Sequence, residues 1–198
     1  MMGRYREFDV DVALEAALSV FWKKGYEGTS FDDLTRATGV ARPSLYATFG
    51  NKESFFRKAL DRYDGTYMAF MADALKETKI SNVIRLILEG ALHTHTLEGE
   101  SRGCLGINGA LACSDNAEPI RQELINRRTR SEAALAERFE QAKTEGELSP
   151  SADGAALAKY IMMMTQGMAV QAKAGVSKDM LRPVVDHILS TWARPLSG

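Results

Sequence analysis

Residues 22–56 read WKKGYEGTSFDDLTRATGVARPSLYATFGNKESFF, and this stretch decides the fold. Just upstream, Val10, Leu14, Ala17, Leu18 and Phe21 recur at helical spacing, so Val10 to Trp22 reads as an amphipathic first helix. Gly25 stops it, with Lys23 and Lys24 in the last turn where cations suit the helix dipole. Thr29 and Ser30 then offer capping oxygens, and Asp33 follows Ser30 by three residues, the pattern of a capping box. The short second helix turns Phe31, Leu34 and Ala37 inward and ends at Gly39, after which Val40 plugs the turn into the core. Pro43 falls in the first turn of a third helix, about Arg42 to Thr48, where a missing N–H costs nothing. That helix buries Leu45 and Phe49 and closes at Gly50, and Asn51 caps a fourth.

Two short helices joined by a tight turn form a helix-turn-helix, a unit whose dominant use is to place its second helix in the major groove of DNA. The runs GYEGTSFDDLTRATGV and LYATFGNKESFF, in that order and spacing, resemble the TetR family of bacterial transcription regulators over about residues 9 to 60. A further segment, RGCLGINGAL, is similar to a subset of that family. The resemblance implies an all-α chain of about nine helices. Residues 1–50 would form the DNA-binding domain and 51–198 an effector-binding and dimerisation domain. It also implies a homodimer that binds a palindromic operator in double-stranded DNA, with repression relieved by a small ligand.

Carried onto this chain, the resemblance gives Arg42, Ser44 and Tyr46 the main DNA contacts, with Pro43 and Thr48 on the same helix. Arg42 is chemically able to meet guanine with two parallel hydrogen bonds. Lys52 and the first amides of the fourth helix would hold a phosphate, Thr29 and Ser30 another, and Arg4 and Arg6 form a short basic arm. Ala47 and Thr48 are small, which argues against base contacts at those two positions.

Bulk composition adds little. The 198 residues carry a net charge of −1, and residues 1–62 hold ten basic against nine acidic side chains. Charge alone therefore does not announce nucleic acid. The start of the chain is polar and charged, and the longest apolar run, Tyr160 to Val170, is broken by Thr165, Gln166 and Gly167. These features predict a cytoplasmic protein with neither signal peptide nor membrane span. No alternating strand pattern is present.

The rest reads as helices: Asn51 to about Lys76, Ile80 to Thr96, Cys104 to Cys113, Ala117 to Gly146, Ala152 to about Ala174, and Ser177 to about Ala193 with Pro183 inside. By resemblance the effector pocket lies among the fourth to eighth. Candidate lining residues are Tyr67, Phe70, Met71, Leu88, Leu92, His95, Cys104, Leu105, Asn108, Leu111, Arg127, Met163, Met164 and Gln166. Rows of Met and aromatic residues are more often plain core, whereas buried amides such as Asn108 and Gln166 need partners. The dimer surface is expected on the last two helices, from Met164, Gly167, Met168, Gln171, Leu181, Val184, Val185, Ile188, Leu189 and Trp192, about half of them doubling as protomer core.

His93 and His95 point to different sides of a helix and have no third partner nearby, so no metal is expected, nor any cofactor. No Ser/His/Asp set, phosphate loop or catalytic carboxylate pair appears, so the chain does not read as an enzyme. Cys104 and Cys113 sit about 13 Å apart along one helix, which excludes a disulfide between them. Cys104 at a helix start is where a thiolate is favoured. The resemblance of the GCL segment to family members that sense oxidants or electrophiles through a cysteine implies an alternative function, a thiol-based sensing regulator acting through Cys104, set against a plain buried small hydrophobe.

Overall fold

The computed structural model describes residues 8–97, 103–111 and 117–192. Among them there are only helices and connecting turns: α1 (Val10–Lys24), α2 (Phe31–Thr38), α3 (Arg42–Phe49), α4 (Lys52–Thr66), α5 (Ala69–Ala74), α6 (Ile80–His95), α7 (Leu105–Leu111), α8 (Glu118–Thr144), α9 (Gly154–Lys173) and α10 (Lys178–Trp192). Arg4, Arg6 and Cys113 lie outside the described residues, as does the Leu111 side chain.

The punctuation of the first four helices is local chemistry. Asp9 caps α1 through two amides. Ser30 and Asp33 form the reciprocal capping box of α2. Gly39, at φ 67°, and Gly50, at φ 79°, end α2 and α3 in backbone conformations that side chains resist. Asn51 caps α4 by accepting from the Ser54 amide. Leu45, Phe49 and Val40 are buried as the sequence predicts, but Ala37 is exposed.

The fourth helix does not run unbroken to Lys76. It ends at Thr66, where the Tyr67 and Met68 amides both donate to the Tyr63 carbonyl. The Tyr67 carbonyl is taken by the Thr94 hydroxyl at 2.9 Å. The new direction lays Phe70 on Gly90, where any Cβ would come within 2.4 Å of the ring. A tertiary contact thus overrides continuous helical propensity and makes ten helices of nine. Pro183 is accommodated inside α10, which starts at Lys178 regardless and forgoes the hydrogen bond that the Asp179 carbonyl would receive.

Two apolar cores result. The first gathers α1–α4 around Phe21, Trp22, Phe55 and Phe56, and continues through Tyr63 into Leu105 of α7 and Ile120 and Leu124 of α8. The second packs α6 against α8, α9 and α10 through Ile87, Leu88, Phe139, Ile161, Leu181 and Ile188. No helix among the described residues is long and apolar enough to cross a membrane.

Candidate functional site

The third helix is held by its inner face and shown by its outer one. Leu45 and Phe49 anchor it, while Arg42, Pro43, Tyr46 and Ala47 are exposed and Ser44 and Thr48 half-buried. Tyr46, 42% exposed, stacks flat on Phe31 at 4.1 Å, which docks α3 onto α2. The Arg42 guanidinium lies 5.2 Å from the Phe31 ring centre and 3.6 Å from the Asp32 carboxylate, so it is pre-positioned yet mostly open to solvent.

Other basic and hydroxyl groups singled out by the sequence have structural duties. Thr29 is buried and its hydroxyl donates to the Gly25 carbonyl at 2.7 Å, so it is not an outward phosphate ligand. Ser30 stays exposed, engaged in its capping box. The Lys52 ammonium donates to the Thr29 carbonyl at 3.0 Å and covers the Tyr26 ring, and partial burial lowers its pKa. Lys24 donates to Asp33, and together with the Ser30 amide and hydroxyl holds that carboxylate far below its ordinary range. Arg36, which the sequence reading passed over, projects from the α2 face with its side chain 79% exposed. Its signal was the polar side of a short amphipathic helix.

Beneath this unit lies a cavity of about 690 Å³ between α4, α5, α7, α8 and α9. Of the predicted lining residues, Met71, His95, Cys104, Arg127 and Gln166 are on its wall. Tyr67 is not; its hydroxyl donates to Glu15 at 2.6 Å, and that carboxylate pushes its pKa up to about 12. Phe70, Leu88, Leu92 and Met164 belong to the second core, Leu105 is buried in the first, and Asn108 is off the wall with its side-chain amide against Gly103. Met163 points outward, 57% exposed, and its neighbour Met162 takes the inner place. Sequence reasoning missed Tyr63, Asp61, Asp64 and Thr165, whose positions depend on how α4 faces α8 and α9.

Arg127 organises the cavity's charged side. It donates to Asp61 at 2.6 Å, Asp64 at 2.7 Å and Glu123 at 2.8 Å, and Glu123 also accepts from Arg57 at 2.7 Å. Burial pushes the Asp64 carboxyl up, with Arg127 pulling against it. Arg127→Ala should leave three crowded carboxylates between α4 and α8 and lower unfolding stability by about 1–2 kcal/mol. Urea denaturation at neutral pH measures this, and an unchanged midpoint would show the network to be inert.

Cys104 corrects the thiolate expectation. Burial raises its pKa, and the smaller opposing pulls of the Tyr63 hydroxyl and the Ile107 and Gly106 amides do not offset it. His95 is buried, and burial pushes its pKa down to about 4. Just before Cys104, the Gly103 carbonyl accepts from the Trp22 indole at 2.9 Å, tying the cavity wall to α1.

The residues expected at the dimer surface divide between the protomer core and the outside, as the expectation that about half double as core allows. Met168, Leu181, Val185 and Ile188 are buried within the protomer, and Leu189, Trp192 and Met164 pack partly against the same core. Gly167, Gln171 and Val184 are exposed, joined by Tyr160, Met163, Val170 and Met180.

Comparison with known proteins agrees with this architecture. Residues 13–59 match the family described as bacterial regulatory proteins, tetR family, and residues 82–188 match the tetracyclin repressor-like C-terminal domain. The chain is 33% identical over 192 residues to the HTH-type transcriptional repressor ComR of Escherichia coli K12, covering 96% of this chain and 91% of that one. It is 31% identical to the uncharacterised regulator YezE of Bacillus subtilis, covering 96% and 98%. Among solved structures, a cysteine mutant of the regulator CifR in complex with 26-base-pair operator DNA superposes with a TM-score of 0.89 at 35% identity, covering 96% of this chain and all of that one. The chain belongs to the tetR family of bacterial regulatory proteins.

Proposed function

We propose that this protein is a repressor that binds a palindromic operator as a homodimer and is released when a small molecule enters the 690 Å³ cavity. The reader would be residues 1–50 and the effector and dimer part 51–198, with α4 shared between their cores. The carrying observation is α3: closed at Gly50, docked by Phe31 and Tyr46, and presenting Arg42 outward. Operator-bound CifR and the repressor ComR support the reading. Arg42, Ser44 and Tyr46 would meet the groove, with Pro43, Thr48 and Ser30 at its edge. Lys52 would act by fixing α4 to the start of α2 as much as by touching phosphate.

Effector release follows from linkage: a ligand preferring a second spacing of the two reading helices weakens operator binding by its differential affinity, typically about 1–3 kcal/mol. Selecting genomic fragments on the purified protein tests the reading. Enrichment of one or a few palindromes is expected, and salt-sensitive retention without sequence preference would defeat it. On a selected operator, Arg42→Ala should cost at least about 1 kcal/mol and relax preference at one base pair of each half-site. Equal loss across all sequences would reassign Arg42 to phosphate.

A further inference from the structure

The cavity wall is apolar over most of its area, with Leu60, Met71, Leu75, Leu124 and Met162 among its lining. Its charged side is largely satisfied from within, since Arg127 is shared among Asp61, Asp64 and Glu123. Arg128 and Arg130 also reach the wall; Arg130 is exposed and Arg128 half-buried. Thr165 donates to the Met162 carbonyl at 2.9 Å.

Two buried polar atoms on the wall are different. Among the described residues, the Tyr63 hydroxyl and the His95 Nδ1 have no hydrogen-bond partner of ordinary geometry, the hydroxyl having only the Cys104 thiol beside it. Tyr63 is 1% and His95 2% exposed, so water does not satisfy them from outside. Both stand against one segment: Tyr63 adjoins the Cys104 thiol, and His95 adjoins the Gly103 backbone. Buried unpaired polar groups are uncommon in folded proteins and costly where they occur. A phenol and a neutral imidazole together can donate to and accept from one oxygen atom. Neither compensates a full charge, and burying a charge without a partner is far costlier than burying a hydroxyl or carbonyl.

Resting on the effector reading above, we propose that the cavity takes an uncharged, mostly apolar molecule carrying one hydroxyl or carbonyl oxygen, which bonds to Tyr63 and His95. The oxygen would sit beside the segment whose Gly103 carbonyl holds the Trp22 indole. Occupancy is thereby reported directly to α1 of the DNA-binding half. Trp22 also packs edge-on against Tyr63, with ring centres 4.7 Å apart, so its fluorescence should respond to the ligand.

The test uses the full-length protein with four probes of matched chain length: octanol, octanone, octanoate and octylamine. Binding is read by Trp fluorescence and thermal shift, and operator release by electrophoretic mobility. Octanol or octanone should bind and weaken operator retention, the two charged probes should not, and Tyr63→Phe should weaken the neutral probes about tenfold. Tyr63→Phe should fold normally, because the hydroxyl it removes is unpaired. Met162→Trp fills the cavity and serves as the blocked control, with helix content checked by circular dichroism. Octanoate or octylamine binding as tightly as the neutral probes, and lost in the blocked variant, would overturn the ligand class while leaving the cavity as effector site. Neutral probes unaffected by Tyr63→Phe would overturn the assigned polar end. Neutral probes bound no better by the native protein than by Met162→Trp would overturn both the proposal and the effector reading.

Discussion

Val170→Glu is expected to convert the protein to a monomer at micromolar concentration and to lower operator affinity by about 10²- to 10⁴-fold. Tyr160, Met163, Gly167 and Val170 follow one another on α9 at intervals of three, four and three residues, which is one stripe of a helix. Met180 and Val184 extend the patch along α10. Side chains 47–69% exposed at Met163, Val170, Met180 and Val184 leave an apolar surface that the protomer does not cover. A second copy would bury it, placing Val170 where a carboxylate has no partner. Because Val170 is on the surface of the protomer, the variant should keep its helix content. Losing the dimer removes the advantage of binding two half-sites at once, which is the larger part of operator affinity. Sedimentation velocity and operator titration measure the two effects together; a dimeric Val170→Glu protein would place the interface elsewhere.

The second large effect is a loss of stability on mild acidification, set by His95. In the unfolded chain a histidine takes up its proton near pH 6.5, whereas burial holds His95 neutral down to about pH 4. Between those values the unfolded state binds the extra proton, so stability rises with pH. It is fully present above about pH 6.5 and falls by roughly 3 kcal/mol as pH drops to about 4. Carboxylates held low in the folded state, such as Glu118 and Glu123, contribute their loss only as pH falls below their ordinary range. The upper part of the window therefore belongs to His95. Urea denaturation at pH 7 and pH 5 should show the drop, and His95→Leu should flatten it. A His95→Leu protein with the native pH slope would mean that His95 charges freely within the fold.

Much of the DNA-reading unit was legible because its signals are local. The Ser30–Asp33 box, the glycines at 39 and 50, Val40 in the turn and the buried Leu45–Phe49 pair depend on residues within a few positions of one another. What escaped depends on partners distant in sequence. The break after Thr66 is fixed by Thr94 and Gly90. Thr29 turns inward because the Gly25 carbonyl needs a donor, and a capping hydroxyl looks the same in sequence whichever way it faces. On α9 most of the circumference is apolar, so periodicity could not separate its inward stripe from the one facing outward. Met168, Leu181, Val185 and Ile188 are the part of the expected set that doubles as protomer core. The exchange of Met163 for Met162 on the cavity wall is a rotation of one residue, about 100° on a helix.

The first apolar core, which runs from Ala13 through Phe55 and Tyr63 into Leu105, Ile120 and Leu124, also bears on how such a regulator can be re-engineered or diversified. A hybrid that grafted a foreign reader onto this chain at residue 50 would mate Phe55, Phe56 and Leu60 of one parent with α1 of the other. It would also leave the Gly103 carbonyl facing whatever replaced Trp22. Specificity can be exchanged most safely by rewriting the outer face of α3 and keeping the rest of the unit, since Arg42, Pro43 and Ala47 are exposed while the anchors Leu45 and Phe49 are buried and Tyr46 docks on Phe31. New operators are then open to this scaffold through a handful of surface positions, whereas transplanting whole halves would demand that two cores be rebuilt together.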